Sequence, residues 1–265
     1  MNEALARERI CEIGRRMYAK NIVAANEGNL SIRIGDRLVA TPSGICKGFM
    51  KPGELAITDL EGNQLEGKQK VSSEILMHVA VYKRRPDVLA VCHGHPTHAT
   101  AHAVAGIPLN EALLPEGILL LGSVPVAPYG TPSTRELADS LNDLLEESDA
   151  ILLANHGAIT FDTDLEKAYF KMEILEHVAE ISLTARLLGN RNLLPRKAVE
   201  QLISLRERYG LPPRKENHGQ KLLAAEDIQN KDDRTYSFTR KELEKAVENA
   251  VSALLEDRAM DDPEH

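Results

Sequence analysis

Four of the chain's nine histidines fall in one stretch, VCHGHPTHATAH, residues 91–102. Imidazole is the commonest metal ligand and titrates near neutral pH, so such a cluster can hold a cation, pass a proton, or reflect composition alone. His93 and His95 stand two apart at the end of the apolar run VLAVCH. In extended chain, positions i and i+2 share a face, so both rings can meet one divalent ion. His156, in NHG at 155–157, closes a second apolar run, AILLANHG. Strand ends are where helix-covered sheets tend to bind ligands. Catalytic zinc usually takes three protein ligands and leaves a position open, so a three-histidine set is possible here, with one carboxylate completing it. Two pairs compete with it. His98 and His102, and Glu74 and His78, are each four apart on predicted helices and share a helix face. Spacing does not rank these pairs. A histidine satisfied by a backbone carbonyl, and His156 as a plain turn residue, are the ordinary alternatives.

Three small-residue clusters offer a second chemistry: NEGNLS at 26–31, TPSG at 41–44 and SSE at 72–74. Each sets hydroxyl or amide side chains beside a glycine or a helix start, where backbone N–H groups can receive an anion. None is a Walker or dinucleotide fingerprint. Each alone is an ordinary turn; converging, they make a phosphate pocket.

The elements that must position these groups follow from periodicity. Residues 3–20 predict a helix. NLSIRIGDRLVATPSG predicts a hairpin around Gly35-Asp36, and ELAITDLEGNQLEG more strand and turn. SSEILMHVAVYKRRPD predicts a helix capped by Ser72 or Ser73 and ended by Pro86. A strand at VLAVCH, a helix from Pro96 and a strand at VPVAPY come next. Capping boxes at Ser133/Glu136, Thr163/Glu166 and Thr239/Glu242 open three later helices, the second running from about 163 to 189. Mixed strands and helices over 1–190 predict a central sheet covered by helices. Past residue 210 the chain turns polar. It reads as a helix-covered sheet domain over 1–210, a linker over 211–238 and an amphipathic helix over 239–258.

The chain has 265 residues and a net charge of −8, which argues against a nucleic-acid binder. Three scattered cysteines read as reduced thiols of a cytoplasmic protein. The charged N-terminal helix does not read as a signal peptide, and no apolar run suffices for a membrane span.

In order and spacing, N-x-G-N-x-S at 26–31, T-P-S-G at 41–44, S-S-E at 72–74, H-x-H-P at 93–96 and N-H-G at 155–157 resemble the class II aldolase/adducin family. The likeness covers about residues 3–188 and is greatest to the L-fuculose 1-phosphate aldolases. It implies an α/β, three-layer α/β/α fold with a mostly antiparallel sheet, assembled as a homotetramer. It implies one Zn2+ per subunit held by His93, His95, His156 and Glu74, which leaves His78, His98 and His102 out. It implies phosphate binding by Gly28, Asn29, Ser43, Gly44, Ser72 and Ser73. The implied reaction is retro-aldol cleavage of a ketose 1-phosphate to dihydroxyacetone phosphate and L-lactaldehyde, with Glu74 shuttling the proton.

One position departs from the pattern. Such aldolases often carry a tyrosine acid after the IP that follows the histidine helix. Here the segment reads GIPLNEALLPEG, Ala112 holds that place, and Glu111 or Glu116 is the substitute acid. Epimerase, dehydratase and decarboxylase relatives share the metal and the phosphate, and an adducin-like binding module is the non-enzymatic alternative. The helix at 239–258 either packs on its own tetramer or docks a partner, as the encapsulation peptides of bacterial microcompartment enzymes do.

Overall fold

The computed structural model describes residues 1–209, 211 and 222–232. Met1–Glu226 form the core unit, and residues from Asp227 onward form a second, described only through 232. The helix read at 239–258, its capping box and most of the linker at 211–238 lie outside the described residues. Within that stretch, Leu222 and Ala224 are buried with Ala112, Ile118 and Val199, and Leu223 bridges Glu111.

The chain begins with helix α1 (Glu3–Ala19), whose cap Asn2 accepts from Leu5 N. Strands β1 (Asn29–Ile34) and β2 (Arg37–Ala40) form the expected hairpin around Gly35 and Asp36. Strands β3 (Ala56–Asp59) and β4 (Gln64–Glu66) extend it. Next come α2 (Ile75–Arg84), β5 (Ala90–Gly94) and α3 (Thr97–Ala105). The predicted VPVAPY strand shrinks to β6 (Val126–Ala127), before the short α4 (Arg135–Asp139). Strand β7 (Ala150–Leu153) turns at Asn155 into β8 (Gly157–Asp162), which runs into α5 (Leu165–Leu187). A further helix, α6, spans Arg196–Leu205.

Eight strands make one sheet, in the order β4-β3-β2-β1-β5-β8-β7-β6. Every pairing is antiparallel except β6 with β7. Alternate residues of the central strands face two separate cores. Leu30, Ile32, Cys92 and Ala158 pack with α1, α3 and α5. Val91, Ile159 and Phe161 pack with α2 and α4. This is the three-layer α/β/α arrangement.

Local capping differs from the sequence reading in each described case, the cap position lying one or two residues further on. Asp164, not Thr163, caps α5, its carboxylate accepting from Glu166 N at 2.8 Å. Ser133 takes a left-handed φ of 68°, and Thr134 stands at the cap of α4. Helix α2 starts at Ile75, and Ser72 Oγ accepts from Glu74 N instead of capping the helix proper. Among the described residues no helix is long and apolar enough to cross a membrane.

Candidate metal centre

The centre lies where β5, the β7–β8 turn and the start of α2 meet. On β5, Val91 and His93 face the α2 side of the sheet while Cys92 and Gly94 face the other, so alternation aims His93 toward Glu74. His95 lies just past the strand, its N–H donated to Ile22 O at 2.8 Å. His156 is not on a strand. It is the last residue of the tight turn that begins after Leu153, and Asn155 there takes a φ of 55°. Gly157 is required: a Cβ there would lie 2.5 Å from His95 Cδ2 and 2.6 Å from Gly94 O.

The three rings stand with centroids 4.8–4.9 Å apart, and one nitrogen from each lies within 4.8 Å of the others. Glu74, first residue before α2, closes the set. Its Oε2 is 3.3 Å from His93 Nε2 and its Oε1 3.2 Å from His156 Nε2. His93 Nδ1 donates to Ala158 O at 2.9 Å, and His95 Nδ1 to Glu27 Oε2 at 2.8 Å. Both bonds place the ring hydrogen on Nδ1, so the two Nε2 lone pairs face one another at 3.1 Å. Lone pairs that close, beside a carboxylate, repel in a buried site unless a cation lies among them. Protons serve poorly: burial, reinforced by His93, pushes His95 down to about 4. Asn29 Nδ2 donates to Glu74 Oε2 at 2.7 Å, which leaves the Nε2 atoms of His93 and His156 against the same carboxylate. Three imidazole nitrogens and one carboxylate, with outer carbonyl and carboxylate partners fixing two rings, fit a divalent metal.

The three small-residue clusters do come together. Leu30 N donates to Thr41 Oγ1, Ser72 N to Thr41 O and Ser43 N to Lys70 O. Pro42 and Val71 form a bridge. Ser43, Gly44 and Ser73 are exposed, Ser72 is buried, and Asn29 is buried with its amide turned to Glu74. Gly28 has a φ of 71°, and a Cβ there would lie 2.4 Å from Val23 Cγ1 and 2.9 Å from His93 O, so this loop packs directly on the histidine strand.

The competing histidines go elsewhere. His98 Nδ1 and the N–H groups of His98 and Ala99 all donate to Glu176, and His102 Nδ1 donates to His98 O. His78 is buried behind Asn29. Glu111 is not a free acid: Arg186 and Arg191 both donate to its carboxylate at 2.9 Å. Among the described residues no hydrogen bond or ion pair joins Glu116 to the triad. Two groups near the centre escaped the sequence reading. Glu27 lay in plain sight as the acid inside NEGNLS. Lys47, with no motif to mark it, is buried and donates to Asn26 O at 2.8 Å and Ile45 O at 2.7 Å, so it ties two of the loops together. Burial pushes its ammonium down to about 8.

Residues 8–183 match the Class II Aldolase and Adducin N-terminal domain family. An L-fuculose phosphate aldolase of Methanococcus maripaludis is 33% identical over 171 residues, 64% of this chain and 92% of that one. A 3-oxo-tetronate 4-phosphate decarboxylase of Escherichia coli is 34% identical over 194 residues, 71% of this chain and 90% of that one. A solved L-fuculose 1-phosphate aldolase superposes with a TM-score of 0.72 at 31% identity, covering 78% of this chain and 96% of that one.

Proposed function

The chain belongs to the class II aldolase and adducin family, and from that premise we propose that it cleaves a ketose 1-phosphate, L-fuculose 1-phosphate foremost, to dihydroxyacetone phosphate and L-lactaldehyde. The observation that carries this reading is the convergence of three imidazoles and Glu74 beside the joined loops of Gly28, Ser43, Gly44 and Ser72. His93, His95, His156 and Glu74 would hold a divalent cation, zinc by their nitrogen-rich donors, and it would supply Lewis-acid stabilisation of the charge that develops as the C3–C4 bond breaks. The chain's own groups do the rest. His93, His95 and His156 present their Nε2 atoms to the cation. The backbone N–H groups and hydroxyls at 28–29, 43–44 and 72–73 hold the phosphate and fix the sugar's register. The C4 hydroxyl gives up a proton as the aldehyde leaves, and C3 of the enediolate gains one. Glu74 is the carrier, the carboxylate that lies against His93 and His156. On the aldehyde side, where cleavage releases the C4 hydroxyl proton, Ala112 offers no tyrosine hydroxyl and Glu111 is held by two arginines, so the reading gives Glu116 the tyrosine's part as acid in the reverse, condensing direction.

The test combines metal analysis of the purified protein with a panel of L-fuculose, L-rhamnulose and ribulose phosphates, scored for dihydroxyacetone phosphate through glycerol-phosphate dehydrogenase. The similarity to the Escherichia coli decarboxylase favours one second reading, loss of CO2 from a 3-oxo acid phosphate. Release of CO2 without dihydroxyacetone phosphate would replace the aldolase reading with that one. The reading extends to a homotetramer and to residues 239–258 as either a tetramer-packing helix or a docking helix for a microcompartment shell. Deleting 236–265 separates these: dissociated subunits mean packing, and unchanged turnover with lost particle association means docking.

A further inference from the structure

Behind Glu74 runs a file of buried polar groups that neither metal nor phosphate binding explains. Asn29 Nδ2 donates to Glu74 Oε2 at 2.7 Å, and Asn29 Oδ1 lies 2.5 Å from His78 Nε2. His78 Nδ1 lies 2.7 Å from Ser31 Oγ. Tyr82 Oη is 2.8 Å from that same oxygen and 3.0 Å from Ser31 O. Asn29, Ser31, His78 and Tyr82 are 3%, 0%, 1% and 3% exposed. Asn29 and Ser31 share a face of β1, and His78 and Tyr82 share a face of α2 one turn apart, so strand and helix present matching pairs.

Hydrogen-bond chemistry allows this file only one direction. Burial pushes His78 down to about 3, so its ring is neutral and carries one hydrogen. Suppose that hydrogen sat on Nδ1. Nε2 would then accept from the Asn29 amide, which would have to flip and turn its oxygen on Glu74. Two acceptors would face each other at 2.7 Å, against an ionised carboxylate that accepts only. With the hydrogen on Nε2 every group is satisfied. The Tyr82 hydroxyl gives its hydrogen to Ser31, Ser31 Oγ gives to Nδ1, Nε2 gives to Asn29 Oδ1, and Asn29 gives to Glu74. Burial also pushes the Tyr82 phenol up, which keeps it a donor.

We infer that His78 is a positioning residue for Glu74: anchored by Ser31 and Tyr82, it locks the flip of the Asn29 amide so that an N–H always meets the Glu74 carboxylate. The inference rests on the reading of Glu74 as a metal ligand and proton carrier, and it gives the Glu74/His78 spacing a purpose other than joint ligation. The amide is rigid because both of its ends are occupied. When the carboxylate shifts between the cation and a substrate proton, Asn29 remains its fixed contact.

The test uses the full-length chain, zinc as probe, and two substitutions of similar volume. His78→Met removes the donor, and His78→Gln keeps an N–H on a side chain of similar reach. Competition with a chromogenic chelator is expected to show zinc affinity about 10–100-fold weaker for the methionine variant, the usual cost of losing an outer partner. His78→Gln should recover most of it, and kcat should follow the same order with little change in KM. Equal loss in both variants, or loss in neither, overturns the inference. If the methionine variant does not fold, ring-nitrogen NMR of the wild-type protein decides, with His78→Gln assigning the signal. A hydrogen on Nε2 is expected, and a hydrogen on Nδ1 overturns it. Neither zinc affinity nor tautomer involves a sugar. A wild type that keeps this order but releases no dihydroxyacetone phosphate therefore sinks the aldolase reading alone.

Discussion

His93 and His95 stand at one end of a ten-residue stretch and His98 and His102 at the other, and the four end in opposite circumstances. In the first pair each Nδ1 is held by an outer acceptor, Ala158 O or Glu27, and the Nε2 atoms converge with His156. In the second pair each ring is taken by a neighbour of its helix or by the helix itself: His98 joins the Glu176 carboxylate that covers the start of α3, and His102 returns its Nδ1 to His98 O. Same-face spacing occurs in both. What separates them is where the unprotonated nitrogens point, and only at the strand end do several acceptors meet without donors of their own. On the proposed reading, ligand character lies in the pattern of outer partners and not in the spacing of histidines.

The sharpest way to break this comparison is to remove one ring from each pair. His95→Ala should abolish bound metal and with it turnover, a larger effect than the about 100-fold that loss of an outer partner causes. His102→Ala should retain stoichiometric metal by atomic absorption. An active, metal-free His95→Ala protein would contradict the centre as described. Next in size is Glu74→Gln. It keeps the shape and a hydrogen-bonding head but cannot carry a proton, so kcat should fall about 10²–10⁴-fold. Competitive inhibition by inorganic phosphate should hold its wild-type value, because the phosphate loops are untouched.

How far the sequence carried this contrast depends on the element. Periodicity was enough for α1, the β1–β2 hairpin, α2, β5 and α5, because each buries one regular stripe or run. It missed β8, since GAITFD follows the histidine turn without a break and is apolar on both faces, as a central strand between two cores must be. Helix caps moved because the choice among neighbouring Ser, Thr and Asp turns on backbone angles that letters do not encode. The three histidines and Glu74 were gathered by family likeness; spacing left three pairs equal. Glu27 and Lys47 could not be ranked at all. One acts through a ring 68 positions away, and the other is a lysine whose burial depends on loops that close over it.

Glu27 supplies the next test, because it belongs to the ligand side of the contrast without being a ligand. Glu27→Gln retains an oxygen for His95 Nδ1–H but loses the charge that makes the imidazole a stronger donor. Zinc affinity should weaken by about 10–100-fold, read by chelator competition, with the triad's geometry preserved. Unchanged affinity would show that position alone, and not the outer carboxylate, sets the strength of His95.

The smallest expected effect lies on the other side. Glu176, reaching from α5, accepts from His98 N and Ala99 N at 3.0 and 2.9 Å and from His98 Nδ1 at 2.8 Å. Those N–H groups belong to the first turn of α3, where no helical carbonyl can serve them and the helix dipole favours a negative charge. The carboxylate thus does for α3 what a cap does, from another helix, since Pro96 at the cap position has no side chain that can accept. Glu176→Ala leaves both donors short of a partner and should cost about 1 kcal/mol, a fall in Tm of about 2–4 °C for a domain this size. Metal content should not change. The triad hangs from β5 and the β7–β8 turn, and His95 is anchored through its own N–H to Ile22 O before α3 begins. If Glu176→Ala loses metal in step with stability, α3 and the strand end form one cooperative unit, and the division between helix-bound and metal-facing histidines holds for their chemistry but not for their mechanics.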